Sequence, residues 1–92
     1  MPRYLVERFV PGAGDLTAVE LEAIAQQSSR VQQEMGAEIQ WIHSTFTGDR
    51  MICLYIAEDE ADIREHARLS GLPAERICRV SAVIGPAIDG DM

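Results

Sequence analysis

Four apolar runs and two segments of helical period follow one another along this chain. The run Arg3–Phe9 is typical of a strand and ends at a Pro-Gly pair. The hairpin Ile39–Ala57 supplies two more strands around a Gly-Asp turn, and Ile77–Ile84 is the fourth. The segments between these runs have a different period, so the chain predicts strands and helices in alternation.

Two amphipathic helices occupy those segments. Thr17 and Glu20 form a capping-box pattern, in which a hydroxyl and a carboxylate satisfy free backbone N–H groups at a helix start. Asp59 predicts the start of the second helix, while Gly36 and Gly71 predict the two ends. The apolar faces have three- and four-residue spacing and consist of Leu21, Ile24, Ser28, Val31 and Met35, then Ile63, His66, Ala67 and Ser70.

The resulting order, β-α-β-β-α-β, is that of the ferredoxin-like α+β fold. We expect a four-stranded antiparallel sheet with strand order 4-1-3-2. Right-handed crossovers place both helices on one face of that sheet. Residues 1–85 are expected to form a single domain, and 86–92, which contain Pro, Gly and Asp, a flexible tail.

This arrangement leaves the other face of the sheet bare. Strand alternation divides the hairpin into two apolar sets, and we assign Phe46, Met51 and Tyr55 to the bare face. A chain of 92 residues builds only a thin core. An apolar bare face therefore favours a homodimer in which two sheets pack face to face as an α+β barrel.

Charge excludes two classes of partner. Fifteen acidic against eight basic residues give a net charge of −7, and the chain contains no lysine. Nucleic acids and anionic membranes need clustered basic residues, so a metal cation or a neutral small molecule fits better. No apolar run reaches the roughly 18 residues of a membrane span. No signal-peptide pattern is present either, so we expect a cytoplasmic protein with free thiols.

The hairpin carries most of the candidate chemistry. Polar groups among apolar neighbours need partners, and His43 and Cys53 are the first of them. A two-residue turn sets Ser44 opposite Cys53 and His43 opposite Leu54, which puts His43 and Cys53 on opposite faces. A bulge or longer loop instead sets His43 opposite Tyr55. Both registers are compatible with the sequence.

Further candidates lie outside the hairpin. His66 is on the apolar face of the second helix, either as a ligand or proton carrier or as a core histidine with a backbone partner. Tyr4, Glu7 and Arg8 on strand one offer a phenol, a carboxylate and a cation, or Glu7 and Arg8 form only an ion pair at the sheet end. Cys53 and Cys78 are separated by strand one, roughly 10 Å apart, which is too far for a disulfide.

Four segments carry a family resemblance: the opening PRYLVER, the segment WIHS, the C-x-Y of strand three, and REHARLSGLP around His66. Together they resemble a small, largely uncharacterised bacterial family that includes a homodimeric nickel-binding protein of ferredoxin-like fold. The match runs from Pro2 to about Ile84, and Ile52 departs from the polar or aromatic residue expected in relatives. The resemblance implies the metal ligands His43, Cys53 and His66, with Tyr4, Glu7 and Tyr55 as auxiliary residues.

We therefore interpret the chain as a non-catalytic binder of a divalent transition metal, nickel first, for storage or sensing. Imidazole and thiolate suit Ni²⁺, Zn²⁺ and copper. The economical pair is His43 with His66 beneath the second helix, which leaves Cys53 to the dimer cavity. The alternatives are an enzyme of the dimeric-barrel monooxygenase type, which needs a dry cavity of a few hundred Å³, and an interaction module without a ligand.

Overall fold

The computed structural model describes residues 1–36 and 39–86. Along the chain they form a β-α-β-β-α-β series with a short 3-10 turn after the first strand. The elements are β1 (Arg3–Phe9), the 3-10 turn (Ala13–Asp15), α1 (Ala18–Met35), β2 (Ile39–Phe46), β3 (Arg50–Ala57), α2 (Glu60–Ser70) and β4 (Arg76–Arg79). The expected tail lies almost entirely outside the described residues.

Local side-chain chemistry sets both helix starts, as predicted. The Thr17 hydroxyl accepts from the Glu20 backbone N–H at 3.2 Å, and the Glu20 carboxylate accepts from the Thr17 N–H at 2.9 Å. Asp59 accepts from the Ala61 N–H at 2.9 Å in front of α2. Such caps stabilise a helix by about 0.5–2 kcal/mol each. Gly71 follows α2 at φ 72°, a left-handed conformation that favours glycine.

The four strands form one antiparallel sheet in the order β2-β3-β1-β4, which is the predicted order 4-1-3-2 read from the other edge. The ferredoxin-like fold class is thereby confirmed. The fourth strand is shorter than the predicted Ile77–Ile84. Its partner β1 begins at Arg3, whose carbonyl accepts from the Val80 N–H at 2.9 Å, so no neighbouring strand extends past that point.

Both helices cover the same face of the sheet, here named the core face. Val6, Cys53 and Tyr55 of the central strands and Ile63 of α2 are buried there, each at most 1% exposed. All four residues predicted for the inner side of α2 are buried as well. A Ser28 side chain within the apolar stripe of α1 lets α2 pack closely, and the Gln27 side chain donates to the Ser70 carbonyl at 2.9 Å.

The face that no helix covers, here named the open face, differs from the prediction. Met51 and Tyr55 are buried on the core face, and Phe46, the partner of Met51, packs against the same core. Their assignment to a dimer face is wrong, because alternation separates two apolar sets without showing which set the helices cover. The open face consists of the other set and its neighbours, Leu5, Ile52, Leu54, Ile56 and Cys78.

Candidate functional site

The register of the hairpin places His43 on the open face. Thr47 donates its N–H to the Arg50 carbonyl at 2.9 Å across the turn, so His43 pairs with Leu54. This is the register expected for a two-residue turn. A bulge does occur, but it lies between Trp41 and His43, beyond the pairs that set the position of the imidazole. The imidazole is exposed to solvent.

Cys53 lies on the other side of the sheet within a short chain of hydrogen bonds. The Trp41 indole N–H donates to the Ser44 Oγ at 2.9 Å, and that hydroxyl donates to the Cys53 Sγ at 2.9 Å. The bulge makes this chain possible, because it pairs Trp41 with Tyr55 and so turns the indole to the core face. Both cysteines have free thiols. Cys53 is fully buried, whereas Cys78 is half-buried.

His66 projects from α2 into the core. Its Nε2 lies 3.4 Å from the Ser28 carbonyl oxygen. Since a carbonyl only accepts, Nε2 carries the proton and Nδ1 presents a lone pair. Within the described residues that Nδ1 has no hydrogen-bond partner. Burial lowers the pKa of His66; the Ser28 carbonyl opposes this shift, and the nearby Arg8 charge adds to it.

Tyr55 and Arg8 complete a polar cluster beneath α2. The Tyr55 and His66 ring centroids are 5.1 Å apart at an interplanar angle of 59°. The Arg8 guanidinium carbon lies 5.9 Å from the Tyr55 ring centroid. Burial raises the pKa of Tyr55 strongly, against the opposing Arg8 charge, so the phenol stays neutral. Arg8 itself is fully buried.

The structure does not bring the three predicted ligands together. His43 is on the open face, whereas Cys53 and His66 are buried on the core face. The predicted pairing of His43 with His66 beneath α2 is therefore wrong within one chain, and so is the placement of Cys53 in a cavity of the bare face. Of the auxiliary residues, Tyr4 is in the core, and Glu7 lies on the open face opposite Arg76.

The burial of Arg8 differs from the expectation that Arg8 and Glu7 supply a cation and a carboxylate together or form an ion pair at the sheet end. The two side chains in fact point to opposite faces. The signal was present in the alternation of β1, where Tyr4, Val6 and Arg8 share one parity. These three residues lie on the face that the helices cover, and the alternation of β1 does not show which face that is.

The grooves of the described surface are open to solvent. One of about 590 Å³ lies between Arg3, Ile56 and the segment 80–83. Another of about 180 Å³ lies between the helices at Ile24, Gln27 and Ser70. Neither groove includes His43 or the cluster beneath α2.

His66 makes folding stability depend on pH. Its pKa is lowered in the folded state relative to 6.5, so the unfolded chain binds the proton more readily. The stability that neutral His66 contributes is complete above about pH 6.5. As the pH falls below that, the free energy of unfolding decreases by at most about 1.4 kcal/mol per pH unit. Urea unfolding between about pH 7.5 and 5 measures this. We expect His66→Gln to flatten the profile and His43→Gln, the exposed control, to retain it; equal profiles for both variants would contradict the assignment.

Residues 4–80 match the family described as nickel responsive protein SCO4226-like. The chain belongs to this family. The resemblance found in the sequence is thus confirmed at family level. No curated protein sequence matches this SCO4226-like chain.

A solved structure shows the shared fold. The crystal structure of SCO4226 from Streptomyces coelicolor A3(2) superposes with a TM-score of 0.74 and covers 89% of this chain and 99% of that one. The two sequences are 13% identical, so the structural similarity shows only that the two proteins share a fold. No helix within residues 1–36 and 39–86 combines the length and apolar character that crossing a membrane requires.

Proposed function

We propose that this SCO4226-like chain forms a non-catalytic homodimer that binds a divalent transition metal, nickel first, for storage or sensing. The observation that carries the proposal is the solvent-exposed His43 imidazole on the open face. Imidazole is a ready ligand for Ni²⁺, and the family is described as nickel responsive. A net charge of −7 also favours cations over anions near the surface.

The described part of one chain does not by itself provide enough ligands for a metal ion. Among residues 1–36 and 39–86, no three His, Cys, Asp or Glu side chains group closely enough to hold a metal ion. A site at His43 therefore has to draw ligands from a second copy or from solvent. The centre of the open face suits such pairing, because Leu5 and Leu54 are apolar and Leu5 is 39% exposed. Cys53 and His66, both buried under the helices, are left out of this site.

A row of residues across the open face suggests the second ligand. His43 pairs with Leu54, Leu54 with Leu5, and Leu5 with Cys78, so His43 and Cys78 lie at opposite ends of one row. Three strand spacings separate them by about 14 Å. If two sheets pack face to face about a two-fold axis parallel to the strands, His43 lies over the partner's Cys78. Imidazole and thiolate together suit nickel.

Calorimetric titration with Ni²⁺ tests the site. We expect His43→Ala to weaken binding at least tenfold, about 1.4 kcal/mol, because one ligand is lost. Cys78→Ser should have an effect of the same order. Gln40→Ala, an exposed polar change on the same strand and face, serves as the matched control and should bind like the wild type. Wild-type affinity in His43→Ala would remove the proposal.

Dimerisation is tested separately by light scattering. The wild type should have twice the 10.2 kDa mass of one chain. Leu5→Glu places a charge at the centre of the open face and should give the single-chain mass. Val19→Glu makes the same kind of change on the outside of α1, where the side chain is 79% exposed, and should leave the dimer intact. A monomeric wild type at micromolar concentration, or a dimeric Leu5→Glu, would show that this face is not the interface.

A further inference from the structure

A buried cation lies beneath α2, away from His43, and no counter-charge is paired with it within residues 1–36 and 39–86. Arg8 is 0% exposed, and none of its three guanidinium nitrogens has a hydrogen-bond partner among the described residues. A guanidinium keeps its charge in proteins. An unpaired charge in the interior costs several kcal/mol, so buried charges are normally paired and hydrogen-bonded. Pairing with an anion would therefore stabilise the buried Arg8 guanidinium.

The geometry indicates where that anion binds. Arg8 pairs with Met51, yet its guanidinium carbon lies near the ring of Tyr55, four residues further along β3. The Arg8 side chain and the Tyr55 ring therefore lean toward each other along the core face, over the Val6–Cys53 pair. On the helix side, His66 packs against the same Tyr55 ring. The guanidinium and the unpartnered His66 Nδ1 thus flank one aromatic ring.

Nearby groups in the described part of the chain do not supply the missing charge. Contact with the Tyr55 ring contributes a cation–π attraction, but an aromatic ring face does not satisfy the five N–H donors of the guanidinium. The Tyr55 phenol is close enough to Arg8 to interact with it. Burial raises the pKa of the phenol more than the charge and hydrogen bonding of the guanidinium lower it, so the phenol stays neutral and supplies no negative charge. The ion pairs of α2, Glu60–Arg64 and Glu65–Arg68, lie on the exposed side of that helix.

We propose that Arg8 anchors a buried anion-binding site between the sheet and α2, which takes a small carboxylate-type oxyanion. The planar guanidinium fork matches two oxygens of such a group in a bidentate pair. The His66 Nδ1 lone pair accepts a hydrogen bond, so an oxyanion that also carries an O–H, as hydrogen carbonate does, uses both unpartnered groups. The ligand has to be small, since Arg8 and His66 are both 0% exposed. The site is independent of the metal proposed at His43.

Thermal unfolding in sodium formate or sodium hydrogen carbonate, balanced with sodium chloride to constant ionic strength, tests the site. A ligand that binds only the folded chain raises the unfolding midpoint with a saturable dependence on its concentration. We expect this response in the wild type, with hydrogen carbonate saturating at lower concentration than formate. Arg8→Met should abolish the response, whereas Arg30→Met, an exposed arginine on α1, should retain it.

A second measurement needs no variant. In NMR spectra of the wild type, the side-chain Nε–H signal of Arg8 should shift saturably with formate, while the signals of the exposed arginines stay in place. An unchanged Arg8 signal together with an unfolding midpoint that does not respond would overturn the proposal. So would an Arg8→Met variant that responds to formate like the wild type.

Discussion

Replacing Ile63 by alanine is expected to lower the free energy of unfolding by about 2–5 kcal/mol. The Ile63 side chain is 0% exposed on the inner side of α2 and belongs to the same buried cluster as Val6, Cys53 and Tyr55. Its truncation removes apolar contacts and leaves a cavity between the helix and the sheet. Domains of this size have a total stability of about 5–15 kcal/mol, so the loss is a large share. Urea unfolding followed by circular dichroism measures it.

The same chemical change on the surface is the control. Ile84 is 95% exposed, so Ile84→Ala should alter the free energy of unfolding by no more than about 0.5 kcal/mol. Equal losses for the two variants would mean that α2 does not pack on the sheet as described. That result would also undermine the cluster of Arg8, Tyr55 and His66, because α2 forms one of its walls.

Replacing Gly14 by alanine should lower the free energy of unfolding by about 1–3 kcal/mol, because the added Cβ overpacks the site. The added Cβ would lie 2.8 Å from the Thr47 carbonyl oxygen and 3.0 Å from the Gly48 Cα. Both are backbone atoms, and the Gly14 N–H already donates to the Gly48 carbonyl at 3.1 Å. The turn of the hairpin and the 3-10 turn after β1 therefore have to separate. Thermal and urea unfolding both report this loss.

Gly48, which lies in the hairpin turn that Gly14 contacts, is the matched control. A Cβ at Gly48 meets nothing within 4 Å, so Gly48→Ala should leave the free energy of unfolding unchanged or raise it by up to about 1 kcal/mol. Similar losses for the two alanines would indicate that the contact between the two turns is looser than the structure shows.

The two proposed sites lie on opposite faces of the sheet. The open face carries the exposed His43 and the half-buried Cys78, the two groups of the proposed metal site. The core face buries Arg8 and His66, whose unpartnered atoms suit a ligand enclosed within one chain. The nickel titration of His43→Ala and the formate response of Arg8→Met separate the two proposals, since neither variant alters the other site.

Local patterns alone were sufficient for the elements and their order. The capping box at Thr17, the cap at Asp59 and the glycines after both helices act within a few residues, so they can be recognised without the fold. Apolar spacing likewise identified the buried sides of α1 and α2. The order β-α-β-β-α-β, with right-handed crossovers, then leaves few topologies, and the predicted strand order was among them.

The assignment of the sheet faces was decided by the tertiary structure. Alternation separates Met51, Cys53 and Tyr55 from Ile52, Leu54 and Ile56, but both sets are apolar. Which set is buried depends on the side from which the helices pack, and no local signal in the strands records that. The same choice buried Arg8 and His66 together and left His43 outside. The sequence could therefore name His43, Cys53 and His66 as candidates, whereas only packing decided which of them lie on the same face.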